Sequence, residues 1–440
     1  MLKYRDLPHR AGWPLLGDLP EFSRDPLGFL TRLHAEHGRV ARLQVGPFKG
    51  VSINDPELTH QVLTKQHESV RKSMDTRWLS LVLGDGLVTS EGALWKRHRK
   101  ALQPAFHNTK IRQYADIMDQ RARELIGGWR PDVELDVHAE MNQLTLRVVA
   151  EALTGVDVSK YYDDIARPLD VVMRRFEEML TSIVPMPPQV PTPANRRAAK
   201  AVKRLEEVLA EIIRERRRAP EGDDLLSELL RAEPAERFND QELRDELLTL
   251  LIAGHETTAL ALTWALKLVS EHPDVERRLV EESREHPDVV RTTRELRLHE
   301  HVVNEAMRLY PPVWGIGREL IRDADIGGYH LPRGTQIYFS QWVTHRDPSY
   351  FERPLEFDPD RWEEPTHPRH AFFPFGAGPR VCVGLNFAML EAVVILSRVI
   401  EAFHLELTRN QDIDLMPAVT LRPRHGLLVT PRKREVRQAA

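Results

Sequence analysis

The longest regular pattern in this chain of 440 residues runs from Asp240 to about Glu271. Asn239 or Asp240 is a suitable N-cap, acidic residues occupy the first turn, and His272-Pro273 ends the pattern. About 31 residues at a rise of 1.5 Å each predict a helix of roughly 46 Å. Because residues 247–268 are apolar on most sides, we expect this helix to run through the core of a large domain.

The composition excludes several classes of protein. A net charge of −4 argues against nucleic acid as the main partner. One cysteine cannot form an internal disulfide, so the chain does not exploit an oxidising compartment. The first residues contain no apolar run long enough for a signal peptide or a membrane anchor. These features predict a cytoplasmic protein without a membrane anchor.

The rest of the chain alternates between helical and irregular segments. Apolar positions recur at three-to-four spacing in residues 105–155 and 196–218, which predicts amphipathic helices. Residues 184–193 contain five prolines and are a candidate stiff connection between two helices. Residues 341–381 are rich in proline and have little periodicity. A loop of that length inside a compact domain is usually functional.

The only cysteine, Cys382, lies in the segment PFGAGPRVCVG, residues 374–384. A lone cysteine is most often a small buried hydrophobic residue. The glycine spacing does not fit a dinucleotide fingerprint, and the lack of partner cysteines excludes a zinc site. The glycines would let the backbone approach a flat group, and a helix begins directly afterwards. Because a helix N-terminus stabilises a thiolate, Cys382 is a candidate metal ligand.

The segment AGHETT, residues 253–258, interrupts the most apolar helix with polar residues. A helical zinc site would need a second histidine where Ala259 stands, so that interpretation fails. Gly254 weakens the helix, and a buried Glu256 is costly unless it is paired or hydrated. The motif therefore indicates either a groove in which an acid and an alcohol face a cavity, or a helix kink with a satisfied polar patch.

Other charged residues each allow two interpretations. Glu305 and Arg308 lie three residues apart on a predicted helix, and such pairs are usually surface ion pairs. An aromatic residue and three arginines either recognise carboxylates of a ligand or are ordinary solvated side chains: Trp95, Arg99, Arg318 and Arg380.

Taken in order, these motifs resemble those of the cytochrome P450 family of haem-thiolate monooxygenases. FGAGPRVCVG, residues 375–384, matches the pattern FxxGxRxCxG at each fixed position. AGHETT matches the oxygen-groove motif, and Glu305 with Arg308 matches ExxR. FDPDRW, residues 357–362, matches the PERF-type motif with Asp360 for the usual Glu and Trp362 for the usual Phe. The resemblance extends from residue 8 to about residue 430.

The resemblance implies a mainly α-helical fold with a small β-rich lobe and the long central helix over the haem. It implies one monooxygenase domain over residues 1–440, with frayed tails at 1–10 and 431–440, and a monomeric protein. The cofactor implied is haem b (iron protoporphyrin IX), and O2 is the co-substrate.

The resemblance also assigns roles to individual residues. The Cys382 thiolate would be the proximal iron ligand, and Glu256 and Thr257 would deliver protons to bound dioxygen. A buried structural triad would consist of Glu305, Arg308 and Arg361. The remaining cofactor-binding residues would be Trp95, Arg99, Arg318 and Arg380 at the haem propionates, and Phe375 and Gly384 in the cysteine loop.

The partners implied are a hydrophobic small molecule and an external electron donor, either ferredoxin or flavodoxin with its NAD(P)H reductase. The basic run Lys96, Arg97 and Lys100 either docks an acidic partner or is an ordinary solvated face. The substrate expected is a terpenoid, carotenoid, steroid or fatty acid, with Arg71, Lys72 and Arg77 near the mouth as possible contacts for a carboxylate. The family positions of the distal pocket are occupied by Trp78, Leu79, Leu87, Val88, Ile252, Ala253, Val313, Trp314, Ile316 and Val419.

Two other functions stay open. One is a haem-thiolate peroxygenase or isomerase that needs no redox partner, and the other is a haem-binding sensor. Both classes can dispense with the acid–alcohol pair, which this sequence keeps at Glu256 and Thr257. The pair therefore favours a monooxygenase.

Overall fold

The computed structural model describes residues 2–10, 12–46, 48–157, 161–181, 190–219, 221–232, 237–411 and 413–434. The helices are α1 (Leu19–Arg24), α2 (Pro26–His37), α3 (Pro56–His60), α4 (Met74–Trp78), α5 (Ser80–Leu83), α6 (Gly92–Leu102), α7 (Asn108–Gly128), α8 (Val137–Thr154), α9 (Tyr162–Thr181), α10 (Pro193–Arg218), α11 (Leu225–Arg231), α12 (Asp240–Glu271), α13 (Pro273–Glu285), α14 (Arg297–Leu309), α15 (Gln341–Thr344) and α16 (Leu385–Ala402). The strands are β1 (Leu2–Lys3), β2 (Val40–Val45), β3 (Phe48–Ile53), β4 (Val70–Lys72), β5 (Leu135–Asp136), β6 (Ile316–Leu320), β7 (Ala324–Ile326), β8 (Tyr329–Leu331), β9 (Gln336–Phe339), β10 (Phe403–Leu407), β11 (Leu415–Pro417), β12 (Leu421–Pro423) and β13 (Leu428–Lys433). A mainly α-helical fold with a smaller β-rich part is confirmed.

The central helix α12 begins and ends where the sequence predicts. Its N-terminus carries a capping box, in which the Asn239 side chain accepts from the Glu242 N–H at 2.9 Å and the Glu242 carboxylate accepts from the Asn239 N–H at 3.0 Å. Among the described residues, α12 is the one helix long and apolar enough to cross a membrane, and 78% of its most apolar window is buried inside the protein. It is therefore the core helix of this domain.

Helices α8, α14 and α16 pack around α12. Trp264 of α12 is fully buried, stacks on Tyr310 at 4.6 Å, and donates its indole N–H to the Leu421 carbonyl at 3.0 Å. The crossing with α8 is close at Gly254, where a Cβ would lie 2.8 Å from Val149 Cγ2. This close approach explains why glycine is retained in the middle of a helix.

The strands form one larger and three smaller sheets. The larger sheet has the order β2-β3-β9-β6-β4, and in it β3 and β9 are parallel, with Val51 opposite Ile337. The smaller sheets are β1-β8-β7, β10-β13-β5 and the hairpin β11-β12. The hairpin lies beside α12, since the carbonyl of its residue Leu421 accepts the hydrogen bond from the Trp264 indole N–H.

The tails differ from the expectation of frayed ends. Residues 2–6 are ordered because β1 pairs in parallel with β8, and because the Tyr4 hydroxyl donates to the Gly50 carbonyl at 3.3 Å. The buried Leu7 holds this end against the sheet. At the other end, residues 431–433 continue β13, where Pro431 lies opposite Leu405 of β10. The prediction of frayed tails is thus wrong for these residues, and residues 435–440 lie outside the described part of the chain.

The two proline-rich segments have different outcomes. Residues 182–189, most of the predicted connection 184–193, lie outside the described residues. After them, Thr192 caps α10 by accepting from the Asn195 N–H at 3.1 Å. The second segment, 341–381, contains α15 and short 3-10 turns at Pro359–Trp362 and Gly378–Arg380, with no β-strand. It is a long irregular segment, as predicted.

Candidate active site

A cavity of about 2010 Å³ lies between α12 and the loop that precedes α16. Its walls also include α4, α5, α9 and the β11-β12 hairpin. All of the apolar residues predicted for a distal pocket line it: Trp78, Leu79, Leu87, Val88, Ile252, Ala253, Val313, Trp314, Ile316 and Val419. The sequence did not identify α9 as a wall, although Met173, Phe176 and Met179 lie there.

The cysteine loop presents Cys382 to this cavity. Its backbone reverses at Gly376 and Gly378, whose φ angles are +73° and +69°. The Cys382 N–H then donates to the Phe375 carbonyl at 3.0 Å, and α16 begins after Gly384. Cys382 is exposed, and it lines the cavity.

Burial raises the pKa of the Cys382 thiol, and the Gly384 backbone and the Arg99 guanidinium oppose that rise. Arg99 is fixed beside the loop, since its Nη1 donates to the Val381 carbonyl at 2.9 Å. The surroundings thus supply two groups that favour the thiolate.

A cluster of cations borders the cavity on one side. The Arg380 guanidinium lies 3.9 Å above the Trp95 ring, donates to the Ser90 carbonyl at 3.0 Å and pairs with Glu91. Arg318 donates to the Gly317 carbonyl at 2.7 Å. Burial, together with the nearby Arg380, lowers the pKa of Arg318 to about 10.

Lys72 belongs to the same cluster, which the sequence did not indicate. Its side chain is buried and Nζ donates to the Leu87 carbonyl at 3.0 Å and to the Val88 carbonyl. Burial, and after it the Arg380 guanidinium, lowers the pKa of Lys72 well below its usual value. Buried cations that lower one another's pKa in this way favour an anionic ligand, because its charge would stabilise their protonated forms.

Glu256 and Thr257 lie at the cavity on the middle turns of α12. The Thr257 hydroxyl donates to the Ala253 carbonyl at 2.7 Å, one turn earlier. The Glu256 carboxylate accepts from the Thr420 hydroxyl at 3.0 Å, and its Oε1 lies 3.6 Å from Arg422 Nη1. An acid and an alcohol therefore border the same cavity, which is the first of the two interpretations of this motif.

The pair Glu305 and Arg308 is fully buried, which excludes a surface ion pair. Two hydrogen bonds of 2.8 Å join them, and Arg361 Nε lies 3.0 Å from the same carboxylate. Trp362 also donates its indole N–H to Glu305 at 3.0 Å, while Asp360 pairs with Arg278 near the surface. The two departures from the usual motif thus have different partners.

The three basic residues expected at the mouth have other partners. Arg71 and Arg77 each pair with Glu319 at 2.6 Å, and Lys72 is buried in the cation cluster. Burial tends to raise the pKa of Glu319, but hydrogen bonds from Gln336 and these two arginines outweigh it and lower the pKa overall. Each of these two arginines therefore already has a carboxylate partner within the protein, which they share.

Comparison with known proteins agrees with this geometry. Residues 7–435 match the family model described as Cytochrome P450. The chain is similar to "Cyclooctatin synthase" of Streptomyces melanosporofaciens, with 34% identity over 96% of this chain and 92% of that protein. It is similar to "Cyclooctat-9-en-7-ol 5-monooxygenase" of the same organism, with 35% identity over 89% of this chain and 88% of that protein.

A third relative is "Pentalenene oxygenase" of Streptomyces avermitilis, with 32% identity over 92% of each chain. The family match covers nearly the whole chain, and these relatives are matched over most of their own length. This chain belongs to the cytochrome P450 family and is a monooxygenase.

Proposed function

We propose that this protein hydroxylates a terpenoid, using O2, a haem b held by Cys382 and electrons from a separate ferredoxin or flavodoxin system. The observation that carries the proposal is that Cys382, the acid–alcohol pair and an apolar wall face one cavity. Each of these features supplies one requirement of the reaction.

The residues around the cavity fit a haem. Arg99, Arg318 and Arg380 would hold its propionates together with Trp95, and the buried Lys72 adds a fourth cation. Carboxylates at this place would stabilise the charged forms of these side chains, which burial disfavours. Cys382 would ligate the iron, with Phe375 and Gly384 beside it. When bound, a thiolate-ligated haem supplies the activation of O2.

The residues of this chain would manage protons and water. The Thr257 hydroxyl can accept and pass a proton at its Oγ1, and Glu256 can supply it from the same helix. The buried Glu305, Arg308 and Arg361 would fix the segment that leads into the cysteine loop. The apolar walls would orient the substrate and exclude water from it.

A terpenoid fits the cavity better than a fatty acid. The lining is largely apolar, and the arginines expected to bind a carboxylate are paired with Glu319. The relatives named for cyclooctat-9-en-7-ol and pentalenene support the same class. Rings and methyl groups would pack against Trp78, Leu87 and Val313.

The electron donor would dock near the basic residues in the middle and last turn of α6. Lys96 and Lys100 are exposed, and Arg97 pairs with Glu242 of α12. The two lysines border a shallow surface depression with Trp95, Arg99 and His107. A negatively charged partner would be attracted to them, and raised salt would weaken that attraction.

The first test is the absorption spectrum of the reduced protein with carbon monoxide bound. A red-shifted Soret band typical of thiolate ligation is expected for the wild type and not for Cys382→Ser. A band at the shorter wavelength of neutral ligation in the wild type, or no haem band, would contradict the proposal.

The second test separates the monooxygenase from an enzyme that needs no partner. Cyclic diterpenes should shift the spectrum of the wild type and be hydroxylated with a surrogate ferredoxin and reductase. Turnover with peroxide alone, and none with the reductase system, would favour the peroxygenase.

A further inference from the structure

Glu256 is connected to helix α9 through a single arginine. Arg422 lies on β12, and its Nη2 contacts both carboxylate oxygens of Glu177 on α9, with 2.5 Å to Oε2. Arg422 Nη1 lies 3.6 Å from Glu256 Oε1 on α12. The arginine thus stands between two carboxylates from different helices and is hydrogen-bonded to only one of them.

The three groups are shielded from solvent. The exposed fractions of their side chains are 15% for Glu177, 14% for Arg422 and 10% for Glu256. At such burial, charges interact more strongly than at the surface and salt screens them less. Burial raises the pKa of Glu177, the Arg422 guanidinium opposes this, and the Glu256 carboxylate adds to it. Whether Arg422 hydrogen-bonds to Glu177 or to Glu256 therefore changes the electrostatic free energy of this cluster.

The β11-β12 hairpin also holds Glu256 by a second group. The Thr420 hydroxyl donates to Glu256 Oε1 at 3.0 Å, two residues before Arg422. His138 of α8 and His255 of α12 also lie near Glu256, and burial lowers the pKa of each and so favours the neutral imidazole, although the Glu256 carboxylate opposes this. Glu177 is therefore the group that competes with Glu256 for Arg422.

We propose that Glu177 is a positioning residue for proton delivery, because it holds Arg422 by hydrogen bonds and keeps it from hydrogen-bonding directly to Glu256, which Arg422 approaches to 3.6 Å. An arginine in direct contact fixes a carboxylate and favours its ionised form. With Arg422 hydrogen-bonded to Glu177, the Glu256 carboxylate accepts a hydrogen bond from Thr420 and has Arg422 at the longer distance of 3.6 Å. It can then take up a proton and pass it towards Thr257.

The inference rests on the proposed function, in which Glu256 and Thr257 carry protons. Glu177 also lines the cavity. A substrate packed against α9 would thus contact the helix that carries Glu177, the partner of Arg422. The proposal gives α9 a role that the sequence did not indicate.

The test compares the haem-loaded wild type with four haem-loaded variants of Glu177 and Arg422. In Glu177→Gln the charge is lost at constant size, so Arg422 should turn to Glu256, and the maximal rate of product formation should fall about tenfold with KM changed less than about twofold. The solvent hydrogen isotope effect on that rate should rise. Glu177→Asp keeps the charge and should recover most of the rate.

Removing the arginine separates positioning from simple damage. Arg422→Gln leaves nothing to capture Glu256, so its rate should stay within about threefold of the wild type, and adding Glu177→Gln should cause no further fall. An equal fall caused by Glu177→Gln in both backgrounds, or wild-type behaviour of Glu177→Gln alone, would overturn the proposal.

Amide hydrogen exchange supplies a readout besides activity. Glu177→Gln and Arg422→Gln each break the bridge between α9 and the hairpin, so each should speed amide exchange at 162–181 and 415–423. Only Glu177→Gln should slow turnover. Arg398→Gln is the control, since this arginine is also largely buried and pairs with Asp119 and Glu401 away from the cavity. Absence of any wild-type turnover would instead refute the proposed function, which keeps the two failures distinct.

Discussion

The Arg308 guanidinium is fully buried and spans from Glu305 to the irregular segment that leads towards Cys382. It makes two hydrogen bonds of 2.8 Å to Glu305, and donates to the carbonyls of His345 at 2.8 Å, Pro354 at 2.6 Å and Glu356 at 3.0 Å. These carbonyls belong to a segment without regular structure, so one side chain satisfies backbone groups that a strand or helix would otherwise pair.

Replacing this arginine should therefore be costly. We expect Arg308→Met to lower the free energy of unfolding by about 3–5 kcal/mol, because it leaves a buried carboxylate and three carbonyls short of partners. Arg353→Gln is the matched control, since Arg353 is exposed, pairs with Glu356 at the same three-residue spacing, and should cost less than about 1 kcal/mol. Denaturant unfolding of both variants checks this, and equal costs would contradict it.

Glu391 of α16 should make stability depend on pH. Its side chain is fully buried, neither carboxylate oxygen has a hydrogen-bond partner among the described residues, and the same holds for the neighbouring Thr258 hydroxyl. Thr258 is close enough to oppose the effect, but burial dominates and raises the pKa of Glu391 well above its usual value. The folded protein therefore holds a proton here that the unfolded chain releases.

The sign follows from this difference. Where the folded state binds the extra proton, unfolding becomes easier as pH rises, with a slope of at most about 1.4 kcal/mol per pH unit. Glu391→Gln removes that slope, so its stability relative to the wild type should improve as the pH rises above the ordinary pKa of a glutamate, about 4.3. Unfolding at several pH values measures this. A flat difference, or one equal to that of the exposed Glu285→Gln, would contradict it.

The Glu319 ion pairs lead to a prediction about ligands. Because Arg71 and Arg77 are already paired, a fatty acid should bind no more tightly than an alcohol of the same chain length. Arg71→Gln should change either dissociation constant less than about twofold. Optical titration of the haem-loaded protein gives both constants. If the wild type binds the acid more tightly than the alcohol and Arg71→Gln does not, a carboxylate site exists at the mouth and the prediction is wrong.

The sequence predicts those features of this protein whose signal is local, and it does not predict those that depend on distant residues. The bounds of α12 are encoded by its capping box and by Pro273, and these lie within the helix or next to it. The burial of Glu305 with Arg308 could not be derived from spacing, because exposed pairs have the same spacing. The contact between Glu177 and Arg422 joins residues 245 positions apart, which no local pattern records.

The glycines of the cysteine loop provide a prediction with an internal control. Gly376 and Gly378 both have positive φ, so an alanine at either position should cost about 1–2 kcal/mol. A Cβ at Gly376 would meet open space, whereas at Gly378 it would lie 2.0 Å from the Leu63 carbonyl oxygen. Backbone atoms at that distance cannot move aside without displacing the segment that holds Leu63.

Gly378→Ala should therefore be destabilised by several kcal/mol more than Gly376→Ala, because the added methyl group overpacks against backbone atoms that cannot move aside. It should also load less haem with the red-shifted band of thiolate ligation, because the displaced backbone carries Cys382 four residues later. Denaturant unfolding and the carbon monoxide spectrum of both variants measure the two effects. If the variants match in stability and spectrum, the close approach of Gly378 to Leu63 does not shape this loop.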